Sequence, residues 1–170
     1  MAQEWSTDHL LAKAPNGRDR DGYRHLFLDP AMGEWLRPPP LKAFQDSDLS
    51  GMLVDDGEHW ATHGFGPWAL FERDGGGLVG RSGLRWTSVD GRLAIEMPWA
   101  IRSDRWGRGY GTEAATAAVE WARSLDLDEV VALVMPENHA SRRVAEKAGL
   151  RLAGETEHAG LDHLVYRLQL

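Results

Sequence analysis

The sequence predicts a single mixed α/β domain over residues 1–170: a mostly antiparallel, twisted sheet with helices on both faces and a central strand pair that splays apart. Three stretches carry that expectation. "GPWALFERDGGGLVGRSGLRW" (66–86) reads as a hairpin, two apolar runs around a glycine-rich turn at Asp74–Gly77. "WGRGYGTEAATAAVEWARSLD" (106–126) followed by "EVVALVMP" (129–136) reads as a helix leading into a buried β-branched strand, the unit that makes a parallel crossover. "RLAIEMPWAIR" (92–102) is a strand interrupted by Pro98, which lacks the N–H a central ladder needs and so implies a bulge or an opened strand pair.

The remaining elements follow in chain order. "DHLLAKAP" predicts a first short strand, stopped by the turn signal "PNG". Residues 18–36 predict one or two short helices broken at Asp29 and Pro30, and "RPPP" (37–40) is a stiff connector. From Phe44 to His63 apolar residues recur loosely at helical spacing, with "DDGE" as a weak point inside. The helix from Thr112 to about Leu125 presents Ala115, Ala118, Ala122 and Leu125 on one stripe, small enough to lie close to a sheet. "ASRRVAEKAG" predicts a second helix with Gly149 as its C-cap, and "HLVYRLQL" a closing strand. Neither an internal repeat nor a linker-like tract stands out.

With 42% hydrophobic residues, a 170-residue chain can bury one good core and is too short for two comfortable domains. It has no cysteine, which excludes disulfides and thiolate catalysis. A net charge of -7 argues against nucleic acid as a general partner, since such binding rests on Lys and Arg neutralising phosphates. No apolar run reaches the roughly 20 residues of a membrane span, and the first residues lack a signal-peptide pattern, so a cytoplasmic protein with no membrane partner is expected. The acidity is uneven: residues 102–151 are balanced, eight basic against eight acidic, and contain two local clusters, Arg102/Arg105/Arg108 and Arg142/Arg143/Lys147/Arg151.

The first of those clusters surrounds Gly107, Gly109 and Gly111, three glycines in five residues at a helix entrance. Such spacing leaves backbone amides of residues 106–112 unobstructed beside a helix N-terminus, which suits a phosphate or pyrophosphate. No Lys-Ser or Lys-Thr pair follows, so the loop is not a P-loop, and its place after a hairpin disfavours a dinucleotide fold. Asn138 stands between a buried strand and a helix. It serves either as an N-cap for that helix or as an amide donor to an extended ligand beside the strand end. His59 and His63, four apart, would need a third ligand to hold a metal, and an exposed helix face explains them as well. Trp35, Trp86 and Trp99 are candidates to line an acceptor groove.

Taken together these pieces resemble the GNAT superfamily of acyl-CoA-dependent N-acetyltransferases, in particular its RimJ/RimL-like branch. The likeness is strongest over about residues 60–170, where "HWATHGFGPWALFE", "GRSGLRW", "WGRGYGTEAATAAVEWA" and "PENHASRRVAEKAGLRLAGE" follow in the family's order. The family's pyrophosphate loop, Gln/Arg-x-x-Gly-x-Gly/Ala, falls on Trp106, Gly109 and Gly111; Trp106 departs from Gln/Arg, a departure of small consequence where the loop acts through its amides. The resemblance implies acetyl-CoA as donor, bound by residues 106–112 (Trp106, Gly107, Arg108, Gly109, Tyr110, Gly111 and Thr112), by the backbone of Ala100 and Ile101 as an added strand, and by Asn138, Ser141 and Arg143. It implies an amine acceptor, either a small molecule or a peptide N-terminus, and a monomer or homodimer. Glu96 matches an acidic position seen in many relatives and is the candidate base; its other reading is a carboxylate on the sheet surface. The tyrosine that often serves as acid for the departing thiolate is replaced by Ala145, which favours direct transfer without it. That replacement also keeps in view a non-catalytic acyl-CoA sensor on the same fold.

Overall fold

The computed structural model describes residues 4–170. Its strands form two five-stranded sheets. The first runs β1 (Trp5–Ser6), β2 (Leu10–Lys13), β3 (Pro67–Glu72), β4 (Leu78–Gly83) and, at its edge, β7 (Ala100–Ile101). The second runs β5 (Arg85–Val89), β6 (Arg92–Glu96), β8 (Glu129–Val134), β10 (Leu161–Gln169) and β9 (Arg151–His158). The expected long hairpin arm is therefore two strands. Gly83 breaks it at φ +112°, where an added Cβ would sit 2.7 Å from the Gly66 carbonyl oxygen, so only glycine fits. All strand pairs are antiparallel except β6 with β8, whose crossover passes through α4 (Tyr110–Ser124).

Local chemistry explains most boundaries. α1 (Arg20–Phe27) and α2 (Pro30–Leu36) are separated by Asp29, whose side chain accepts from the Ala31 N–H, with Pro30 opening α2. α3 (Asp46–His63) starts where the Asp48 side chain accepts from the Gln45 N–H at 2.7 Å and ends on Gly64 at φ +73°. "DDGE" does not interrupt it, because buried Asp56 is matched by Arg81 on β4 across the interface. α5 (His139–Lys147) is capped by Asn138 and is followed by Gly149 at φ +95°. β9 is a strand where the composition of "RLAGETEH" gives little sign of one; it is an exposed edge whose partner β10 supplies its order.

The helices cover the two sheets unequally. The first sheet is enclosed: α4 packs on one face in a core containing Trp68, Leu70, Ala118 and Trp121, and α1 and α3 pack on the other through Tyr23, Leu26, Leu49 and Leu53. A ladder of indoles, Trp5, Trp68, Trp121 and Trp60, runs through the main core with neighbouring ring centroids 4.4–6.5 Å apart. The second sheet contributes Ile95, Val130, Ala132, Leu164 and Tyr166 to that core, whereas its opposite face gathers only a small cluster around Val89, Val131 and Val165. Helices thus lie on both faces of the sheet system, covering the first sheet on both sides and the second mainly on the side of the main core.

Candidate functional site

The two sheets part where β6 gives way to β7. Glu96 pairs with Val131, and the Met97 N–H donates to the Val131 carbonyl at 2.8 Å, the last link between these strands. Pro98 follows; its carbonyl is held by the Ser82 hydroxyl at 2.9 Å, and β7 continues instead along β4. A cleft of about 750 Å³ opens between β7 and β8.

One wall is the glycine loop. Gly107 and Gly109 have φ of +77° and +83°, and a Cβ on either would point into open space. Their conformation, and not crowding, is what requires glycine there. Gly109 is the N-cap of a 15-residue helix and has no side chain to offer, so first-turn amides of α4 face the cleft without a side-chain cap. Along β7, the Arg102 N–H donates to the Val79 carbonyl at 2.8 Å, so alternation turns the polar groups of Ile101 toward the cleft and those of Ala100 toward β4. The Trp106 indole N–H donates to the Ile101 carbonyl at 2.6 Å and closes the loop over the strand end.

Gly107, Gly109, Tyr110, Gly111 and Thr112 line the cleft with Ala100, Ile101, Trp106, Asn138, Ser141 and Glu96. Arg108 and Arg143 are exposed and lie outside its lining. The Asn138 side chain accepts from the Ser141 N–H at 3.0 Å, so it does cap α5, and the Ser141 hydroxyl accepts from the Trp99 indole at 3.3 Å. The basic character of the loop is largely spent internally. Arg105 donates to Glu72 at 2.8 Å and to Asp104, Arg102 donates to Asp104, and the Tyr110 hydroxyl donates to Glu72 at 3.1 Å. The Arg105 hydrogen bond holds the Glu72 carboxyl below its usual range.

The other wall was less foreseeable. Trp35 and Trp99 line the cleft as expected, but Trp86 does not; it packs against His63 and Phe65. Met32 and Leu36 of α2, Leu133 and Met135 at the end of β8, and His158 and His163 complete it. Only the alternation of "HLVYRLQL", which sets His163 opposite in phase to buried Leu164 and Tyr166, hinted at the last of these. His59 is structural: its Nδ1–H donates to the Phe65 carbonyl at 2.8 Å and its Nε2 accepts from the Trp86 N–H at 2.9 Å, while burial lowers its pKa. Neither ring nitrogen remains for a metal, and no metal-binding group of His, Asp or Glu occurs among the described residues. No helix among them is long and apolar enough to cross a membrane.

A sheet split by a proline-marked strand defect, with uncapped helix amides at the mouth of the split, defines an α/β domain whose cleft has the shape and open donors that an extended, phosphate-bearing ligand requires. The chain belongs to the acetyltransferase (GNAT) domain family, whose model matches residues 9–151. Among solved structures it is similar to an acetyltransferase of Agrobacterium tumefaciens str. C58 (25% identity, TM-score 0.84, 100% of this chain and 96% of that one). It is also similar in fold to Mycobacterium smegmatis RimJ in complex with CoA-disulfide (20% identity, TM-score 0.73, 94% and 81%). A Bacillus subtilis (strain 168) protein, the uncharacterized YkkB, is 29% identical over 89 residues, 52% of each chain. The chain thus spans about half the length of the curated relative it matches. GNAT acetyltransferases use acetyl-CoA as donor.

Proposed function

We propose that this protein transfers the acetyl group of acetyl-CoA directly to a primary amine, either a small molecule or a peptide N-terminus. The observation that carries the reading is the conjunction of the splay beyond Glu96 with the open amides of residues 107–112 on one cleft. The loop amides and the α4 N-terminus are assigned the pyrophosphate, and the outward N–H of Ile101, whose carbonyl is held by Trp106, the pantetheine arm. The Asn138 oxygen is engaged in capping, so its amide N–H is the part assigned to the same arm. Arg108 and Arg143, at the rim, are assigned to the outer phosphates. The bound donor supplies an activated acyl carbon and a thiolate leaving group.

The chain's own residues then act on the acceptor. Glu96 lies at the floor of the split, where its carboxylate attracts an ammonium and is the first acceptor of its proton, since only a neutral amine attacks. A backbone N–H near the Pro98 defect is assigned to polarise the thioester carbonyl. The apolar wall from Trp35, Leu36 and Trp99 excludes water from the reacting groups.

Calorimetric titration with acetyl-CoA beside ATP, NAD and dephospho-CoA tests the donor assignment. Selective micromolar binding of acetyl-CoA is expected; equal binding of ATP, or none of acetyl-CoA, overturns it. An amine screen read by thiol release then separates an enzyme from a non-catalytic acyl-CoA binder.

A further inference from the structure

The half-bare face of the second sheet carries two titratable side chains, Glu96 and His163, that line the cleft. Val131, Leu133 and Val165 share that face. Glu96 pairs with Val131, which makes it a diagonal neighbour of Leu133 on one side. Val165 pairs with Leu133, which makes His163, two residues away on β10, a diagonal neighbour of Leu133 on the other side. Diagonal neighbours lie about 7–8 Å apart, within reach of long and aromatic side chains. Glu96 and His163 thus lie on opposite diagonals of Leu133 on one face of the sheet, and all three residues line the cleft.

The His163 ring is also set chemically. Its Nδ1 lies 2.9 Å from the Leu161 carbonyl oxygen, and a carbonyl only accepts, so Nδ1 carries the hydrogen. In the neutral ring Nε2 is then a bare lone pair, the arrangement that an anchored histidine base requires. The His158 ring packs against that of His163 edge to face at 5.7 Å, and on the same face Thr156, the cross-strand partner of His163, donates to Asp90, whereas Glu155, Glu157 and Asp162 fall on the opposite face of the hairpin.

An ammonium acceptor must shed two protons from its nitrogen in becoming an amide, one before attack and one as the new C–N bond forms. Resting on the acetyltransferase reading above, we infer that His163 Nε2 takes the second of these protons. The nitrogen donates its electron pair to the acyl carbon, loses that proton to His163, and the sulfur leaves with the electrons of the C–S bond. The sulfur takes up one proton, so one proton in total passes to solvent.

The test has an arm that needs no acceptor. Diethyl pyrocarbonate modifies unprotonated imidazole nitrogens, and peptide mapping by mass spectrometry reports each histidine separately. His163 is expected to be modified in the free protein and protected at least about tenfold by saturating acetyl-CoA. Binding of acetyl-CoA, followed by calorimetry in the same samples, without protection of His163 overturns the inference alone. Absence of binding overturns the acetyltransferase reading on which it rests. In the second arm, His163→Asn keeps a donor for the Leu161 carbonyl and deletes Nε2. It is expected to slow thiol release with 2-phenylethylamine, or with a peptide bearing a free N-terminal serine, by about a hundredfold, with acetyl-CoA affinity within about twofold of the parent. Imidazole in solution is expected to restore turnover to His163→Gly, a response that loss of a purely structural contact does not give. Undiminished turnover in His163→Asn overturns the inference.

Discussion

The surroundings of Arg81 and those of Gly109 treat polar groups in opposite ways. Around Arg81 nothing is left open. The guanidinium grips Asp56 through Nε at 2.7 Å and through a second nitrogen, and the Tyr23 hydroxyl donates to the same carboxylate at 3.1 Å. Burial disfavours the Arg81 cation, yet Asp56, Tyr23 and Glu96 outweigh it and leave the pKa raised; burial likewise pushes the Tyr23 phenol above its usual range. Around Gly109 the helix starts without a side-chain cap and the loop stands open. Saturated polar groups fasten α1 and α3 to β4, beside β7, whereas the amides without a side-chain cap stand at the loop to which the pyrophosphate is assigned above. The rigid region holds the strand edge in register so that the open region has a fixed geometry to offer.

That contrast breaks most severely at Asp56. Asp56→Ala strands a buried guanidinium and is expected to cost about 3–5 kcal/mol of stability, read from urea denaturation. Glu96→Gln acts mainly on the cleft, leaving the Arg81–Asp56 hydrogen bonds in place: turnover at neutral pH is expected to fall by about a hundredfold, with acetyl-CoA affinity changed much less. Equal turnover removes Glu96 from the chemistry. Gly109→Val forces a β-branched residue into the left-handed region and swings the loop amides away. Acetyl-CoA affinity is expected to fall by at least about thirtyfold, roughly 2 kcal/mol, while far-UV circular dichroism remains that of the parent. Unchanged affinity sinks the pyrophosphate assignment.

The smallest effect is electrostatic and sharpens the loop's side of the comparison. The Glu72 carboxyl is depressed in the folded protein, so its contribution is fully present above the ordinary carboxylate range and is lost as pH falls through the lowered value. Glu72→Gln is expected to be less stable than the parent near neutrality and to converge with it in acid; a constant difference across the titration excludes this linkage.

Periodicity and punctuation made much of this legible in advance. Asp29–Pro30 divided two helices, Pro98 marked the strand defect, and the glycine string marked the uncapped helix. Each is a covalent constraint on φ, on a missing N–H or on a missing Cβ, and therefore acts locally wherever the chain goes. β9 escaped notice because an exposed edge strand has no apolar alternation to display, and its hydrogen bonds come from β10. "DDGE" reads as a weak point in its helix because the partner of Asp56, Arg81, stands 25 residues further on.

The second wall of the cleft shows the same division. Within the sequence, His163 sits 67 residues from Glu96, and nothing local relates them; the register of β6, β8 and β10 sets both beside Leu133. His59 shows the converse, a spacing that suggested a ligand until two backbone groups from elsewhere engaged both ring nitrogens. By itself the sequence determined where the backbone turns, opens and lacks donors, because those properties belong to single residues. Only the tertiary structure decided which side chains meet across strands, because a pairing register depends on the whole sheet.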